Sequence, residues 1–88
     1  MKRQQYTVEF LTVPVDGFTF GSNCADITFK NFGVEQLIVN DVVPLSTGDF
    51  ITVAGNVGEI DRTKYHVKFT TGVGTKIAVI IKRNYLGE

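Results

Sequence analysis

Apolar and polar residues alternate along this chain in short runs. Tyr65, Val67 and Phe69 alternate with Lys64, His66 and Lys68, and Ile77, Val79 and Ile81 repeat the spacing. A period of two sends successive side chains to opposite faces of an extended strand. Gly, Asn and Asp interrupt these runs at 16–17, 31–33, 40–41, 48–49, 55–58 and 72–74. Gly and Asn tolerate the positive φ that tight connections demand, so the interruptions are read as turns. Strands are expected between them at 6–13, 18–20, 25–30, 36–39, 42–43, 49–54, 64–70 and 75–82. No segment keeps helical spacing over three turns. The pattern predicts an all-β fold, a small two-layer β-sandwich or barrel of about seven short, mainly antiparallel strands. It leaves their order open.

One strand breaks the alternation. Ile77, Ala78, Val79, Ile80 and Ile81 follow one another without a polar residue, the mark of a strand buried on both faces. A domain this small buries one sheet face readily and seldom both. The row Ala78 and Ile80 is therefore expected to be covered by a second copy or a larger particle. Lys76, Lys82 and Arg83 would form the rim of that interface.

At 88 residues, 43% hydrophobic and 20% charged, the chain suits one core and not a disordered tail. Residues 1–5 are expected to be disordered, with 6–88 forming a single β domain. Cys24 is the lone cysteine, which excludes an internal disulfide. The absence of His/Cys clusters argues against a structural metal. Stability then comes from packing, or from oligomerisation. Lys2 and Arg3 suit the start of a signal peptide, but Thr7, Glu9, Thr12 and Pro14 break the apolar stretch that should follow. No export is expected. No apolar run approaches the roughly 20 residues of a membrane span.

The net charge is zero, yet it is segregated. Val13 to Asp61 holds seven acidic residues against Lys30 alone, whereas Arg62 to Arg83 holds six basic residues and no acidic one. Opposed fields of this kind steer association. The plainer reading is that the two segments neutralise each other within one fold.

Candidate chemistry is sparse. Covalent catalysis needs a nucleophile beside an oriented base, and the only Cys and His are Cys24 and His66. His66 lies on the polar side of its strand and nothing places Cys24 beside it. Glu59 and Asp61, preceded by Asn56, could offer oxygens to a cation, but the spacing fits no EF-hand loop. Asn, Gly and Asp are also what a long turn uses for local backbone bonds. Asn56, Gly58 and Asp61 are read as a structural turn, with Asp61 fixing it. Gly72-Val73-Gly74 feeds a strand, not a helix, and so does not cradle phosphate. Phe29-Lys30-Asn31-Phe32-Gly33 mixes aromatics with a base as single-strand stacking platforms do, but Phe29 reads as core and the neutral chain supplies no basic field. No enzyme activity and no cofactor or metal is expected.

The stretch 27–69 carries a resemblance. It runs Ile-Thr-Phe-Lys-Asn-Phe-Gly, a short strand, Asn-Asp, Val-Pro-Leu-Ser-Thr-Gly-Asp-Phe, then Gly-Asn-Val-Gly-Glu-Ile-Asp-Arg-Thr-Lys-Tyr. This resembles small virion proteins of tailed bacteriophages, especially those infecting gut Bacteroidetes. Such proteins are β-rich and decorate the capsid or form head appendages. The resemblance covers about half the chain, rests on turn and strand signatures and identifies no functional residue. It implies a non-catalytic structural role in a virion, capsid decoration or assembly. The partners implied are further copies of the chain, as a homo-oligomer, and capsid or other virion proteins. A glycan- or protein-binding sandwich is the alternative, and a nucleic-acid-binding barrel a more distant one.

Overall fold

The structure is a computed structural model that describes residues 5–55 and 59–85. Its strands are β1 (Tyr6–Thr12), β2 (Phe18–Gly21), β3 (Asp26–Asn31), β4 (Leu37–Val39), β5 (Val43–Leu45), β6 (Phe50–Val53), β7 (Lys64–Phe69) and β8 (Ala78–Tyr85). Each of the eight stretches read as extended from sequence overlaps one of them, though β5 shares only Val43 with the expected 42–43 and β8 runs on to Tyr85, and no helix occurs among the described residues. The first sheet has the order β1-β8-β3-β6 and the second β2-β7-β4-β5, every pairing antiparallel. The fold is an all-β sandwich. Only the β4–β5 hairpin joins neighbours within a sheet, and every other connection crosses between the two layers.

Local chemistry sets the turns. Asn40 and Asp41 both take positive φ, and the Val42 amide donates to the Val39 carbonyl. Two successive positive φ values give the turn whose twist matches a hairpin, and the register Val39↔Val43 leaves Val42 as one extra residue after it. At the first crossover the Gly17 amide donates to the Pro14 carbonyl, with Gly17 at φ 76°. A Cβ there would strike the Val67 carbonyl, so glycine is demanded both by its φ and by the strand beside it.

The core lies between the layers. Ile27 and Phe29 of β3 and Ala78 and Ile80 of β8 face Leu37 and Val39 of β4 and Tyr65, Val67 and Phe69 of β7. Phe29 and Tyr65 pack at 5.1 Å between ring centroids, and Phe20 lies 5.9 Å from Tyr65. Tilted ring pairs of this kind add about 0.5–1.5 kcal/mol each beyond their buried area. The Phe29–Tyr65 pair also ties the layers together, because Phe29 belongs to one sheet and Tyr65 to the other, whereas Phe20 and Tyr65 are neighbours within the second sheet.

Asn31, at the end of β3, is fully buried and fully bonded. Its Nδ2 donates to the Glu35 and Leu45 carbonyls, both at 2.8 Å, and its Oδ1 accepts from the Gly33 amide at 2.9 Å. One side chain thereby holds the 32–36 connection against β5 of the opposite sheet. Glu35 does similar work further on: its carboxylate accepts from the Thr70 hydroxyl and the Gly74 amide and closes the 70–74 turn.

Two sequence expectations need correction. The eighth strand begins at Ala78 and not near 75, because 75–77 bonds irregularly to the 32–35 connection: Phe32 N–H donates to the Ile77 carbonyl and Glu35 N–H to that of Thr75. The second concerns the assembly row. Ala78 is 2% and Ile80 0% exposed within this single chain. Opposite Asn31 and Phe29 of β3, they share the inward face, and the second sheet is their cover. The row left outside is Ile77, Val79 and Ile81. Sequence parity could not choose between two apolar rows. The choice follows from which residues β8 meets on β3.

Candidate interaction surface

The two sheets present very different outer faces. On the second, Lys64, His66 and Lys68 of β7 point away from the buried Tyr65, Val67 and Phe69, so this face is polar and basic. On the first, the register puts Phe10 opposite Ile81, Val8 opposite Arg83 and Tyr6 opposite Tyr85, and directly opposed residues share a face. Thr28 and Lys30 of β3 carry this face on to Thr52 and Phe50 of β6. The result is a solvent-facing sheet surface rich in large apolar groups. Phe10 is 69% exposed, Phe50 63% and Tyr6 52%.

Cations cap the rings. Lys30 Nζ lies 5.3 Å from the Phe32 centroid and 5.9 Å from that of Phe50, and the Arg83 guanidinium lies 4.8 Å from the Tyr6 ring. Tyr6 meets Tyr85 edge-on at 6.1 Å. A shallow cleft of about 500 Å³ runs between Val8, Phe10 and Ile81 on one side and Thr28, Thr52 and Ala54 on the other, with Asp26 and Arg83 at one end. Its polar groups are already partnered. Thr28 and Thr52 bond each other through their hydroxyls at 2.9 Å, Asp26 accepts from the Gly55 amide at 2.9 Å, and Arg83 lies 3.5 Å from the Asp26 carboxylate.

Sequence reasoning missed this face. In β1 the even row Tyr6, Val8 and Phe10 is more apolar than the odd row Thr7, Glu9 and Leu11, which by pattern alone would put it inward. It faces outward, and of the odd row Leu11 packs against the core. An apolar row turned to solvent is the signal, legible only once Leu11 has a place.

The predicted interface residues are dispersed. Ala78 and Ile80 are core. Lys82 is on the inward side, where Nζ donates to the Gly21 carbonyl at 3.3 Å and lies 5.3 Å from the Phe20 ring. Arg83 alone of the five belongs to the outer face described above, and Lys76 is half-buried before β8 begins. Of the turn residues, Asn56 and Gly58 lie outside the described residues, as does most of the expected 1–5 tail. Asp61 pairs through its backbone with Cys24, and its carboxylate accepts from the Thr63 amide and the Tyr65 hydroxyl, each at 2.8 Å.

A smaller concavity, about 330 Å³, adjoins this Asp61–Tyr65 pair. Burial pushes the Asp61 carboxyl upward, but hydrogen bonds from Thr63 and Tyr65 outweigh it and hold it below its ordinary value. Burial and the Asp61 carboxylate push the Tyr65 phenol up to about 12. Acid–base work asks for values near the working pH, and both groups are driven away from neutrality. Cys24 is buried in the core, and burial raises its thiol, with Lys82 opposing. His66 points to the opposite side of the second sheet and bonds Thr19 at 2.8 Å, so the structure does not bring the two together. The segregated charges meet in part within the fold, where Lys68 pairs with Asp41 at 2.8 Å and Arg83 with Asp26.

Neither a family model, nor a curated protein, nor a solved structure matches this chain.

Proposed function

We propose that this chain is a non-catalytic structural protein of a phage virion, a capsid decoration or assembly component that works by laying the outer face of its first sheet against neighbouring subunits. The observation that carries the reading is the apolar outer row of β1 and β8, with Phe10 at its centre and Tyr6, Val8 and Ile81 around it. Folded monomers rarely leave contiguous apolar patches beyond a few hundred Å² open to water, and such patches mark interaction sites. The setting, a virion assembled in the host bacterial cytoplasm, comes from the resemblance over 27–69, and its partners would be capsid proteins and further copies of the chain. A glycan-binding reading draws on the cleft beside Phe10. Weighing against it, Asp26, Thr28, Thr52 and Arg83 already bond within the chain, whereas a sugar site keeps polar groups free to fix orientation.

The test is a binding assay on particles. Purified virions of the encoding phage should contain the chain in many copies, and virions stripped of it should rebind it. Phe10→Glu should weaken rebinding about a hundredfold without changing the β spectrum, since a charge in a closed apolar contact costs several kcal/mol and at an open site little. Virions without the chain, or full rebinding by Phe10→Glu, would overturn the proposal. Retention on a glycan array, lost in the same variant, would favour the alternative.

A further inference from the structure

The strands that end each sheet are unequal. β5 is three residues long and contains Pro44, and β2 and β6 have four residues each, but β1 has seven, Tyr6–Thr12, with neither Pro nor Lys. Short strands, prolines and lysines are how sheets blunt an edge. β1 has none of these, and the single charge of Glu9 is the one edge-blunting feature along its seven residues.

Its free backbone groups can be assigned. Val13, which continues β1, donates its amide to the Ala78 carbonyl at 3.0 Å, and the β1–β8 register places Val13 opposite Ala78. In an antiparallel pair the bonded residues alternate, so Thr7, Glu9 and Leu11 bond β8, while Tyr6, Val8, Phe10 and Thr12 turn their N–H and C=O groups to the open edge. These are the same residues whose side chains form the outer row of the interaction face.

We infer that β1 pairs antiparallel with β1 of a second copy about a two-fold axis at Val8, joining two first sheets into one continuous sheet. This rests on the assembly reading above and names one of its contacts. The edge is self-complementary in that register. Val8 faces Val8 and Tyr6 faces Phe10, so every opposed pair on the outer side has its bonding groups turned to the partner. Each aromatic residue gains an aromatic neighbour across the strands, a favoured combination. Glu9, the only charge in β1, falls opposite Thr7, whereas a register moved by one pair would set Glu9 against Glu9. Doubling the Tyr6–Val8–Phe10 row also doubles the apolar face that the pair presents to a larger particle. A single strand pair falls at or below the roughly 1,200 Å² lower end of stable interfaces, so the dimer is a reversible one that dense packing on a particle reinforces.

The full chain should show a concentration-dependent monomer–dimer equilibrium by sedimentation between micromolar and millimolar. The amides of Tyr6, Val8, Phe10 and Thr12 should exchange more slowly as concentration rises. Val8→Pro should weaken the dimer by about tenfold or more while leaving the fold intact, because proline is tolerated on an edge strand where its missing N–H faces solvent. Phe50→Glu, at the far side of the same face, should leave the dimer unchanged while weakening particle binding. The inference is overturned by a monomer at millimolar concentration with those amides exchanging freely. It is equally overturned by a dimer indifferent to Val8→Pro, or by protection of those amides at every concentration, which would mean that the chain or another partner covers the edge. If any of these holds while particles still take up the chain through Phe10, the assembly reading stands without this contact.

Discussion

Asn31→Ala tests whether one buried side chain holds the two layers in register. The substitution deletes the donor to the Glu35 and Leu45 carbonyls and the acceptor for the Gly33 amide, in a residue with no exposed surface. Each buried polar group left without a partner costs about 1–3 kcal/mol. Leu45 is itself buried, whereas the Glu35 carbonyl is nearer the surface and water can reach it. The expected loss is therefore about 3–5 kcal/mol, against a total stability on the order of 4–13 kcal/mol for a chain of this length. Urea unfolding followed by far-UV circular dichroism measures it, with the midpoint falling and the slope unchanged. Asn31→Asp adds a second reading. It keeps the acceptor but aims a carboxylate at two carbonyls, so its folded pKa lies above the unfolded value. The stability of that variant is then fullest below the ordinary carboxyl range and lost as pH rises through the raised value, and its deficit relative to the native chain shrinks on acidification. A loss under about 1 kcal/mol for Asn31→Ala, or a deficit in Asn31→Asp that grows towards acid, would refute the reasoning.

Three further outcomes follow from other sites. Gly74→Ala should destabilise by about 1–3 kcal/mol in thermal melts, because its Cβ would press into the Glu35 carboxylate that closes the turn; Gly48→Ala, with open space around its Cβ, should lose about 1 kcal/mol through its positive φ alone. The Asp61–Tyr65 bond should leave marks at both ends of the pH scale. Asp61 titrates below its ordinary 3.8, so its contribution is complete above that value and lost as pH falls through the lower folded value. Tyr65 titrates at about 12 against an ordinary 10.0, so its share is complete below 10 and lost as pH rises through 12, and Tyr65→Phe should flatten that alkaline limb in a stability–pH profile. Finally, Ile80→Glu should abolish the folded spectrum, since a charge would enter the core, whereas Ile77→Glu, at a side chain 52% exposed, should stay folded; a folded Ile80→Glu chain would contradict the assigned parity of β8.

Much of the architecture is legible from local signals. Asn40-Asp41 announces its hairpin because few other residue pairs accept two positive φ values, and Tyr65, Val67 and Phe69 announce their face because their neighbours are polar. What depends on partners far along the chain is not legible. The sandwich, as opposed to a barrel, emerges only from the pairing of β8 with both β1 and β3. The inward parity of β8 required Phe29 as its neighbour. The interaction face was hidden for the same reason: Tyr6, Val8 and Phe10 look like core residues until Leu11 and Ile80 are seen opposite each other on the inward side. In the sequence Asn31 belongs to a turn signal and an aromatic mixture, and nothing local reveals that its amide bridges to a carbonyl fourteen residues on.

The crossing connections also set the order in which the molecule can be made. β8 sits between β1 and β3, so when a ribosome has delivered everything up to β7, the first sheet consists of β1 alone and a separate β3–β6 pair. Both lack the strand that joins them. The inner surfaces of Phe29 and Val67 face each other with no Ile80 to complete the layer. Until β8 emerges, β1 and β3 have no common neighbour, and the backbone groups that will bond β8 stay open to water. Closure of the first sheet waits on the last strand made, and the non-local pairings it needs place folding among the slower small domains, in milliseconds to seconds. A peptide spanning 76–85 supplied in trans to a chain ending at 75 tests how far the sheet depends on that strand: recovery of the β spectrum would show that the first seven strands hold a site for the eighth, and no recovery that Ala78 and Ile80 must be present for the layers to close.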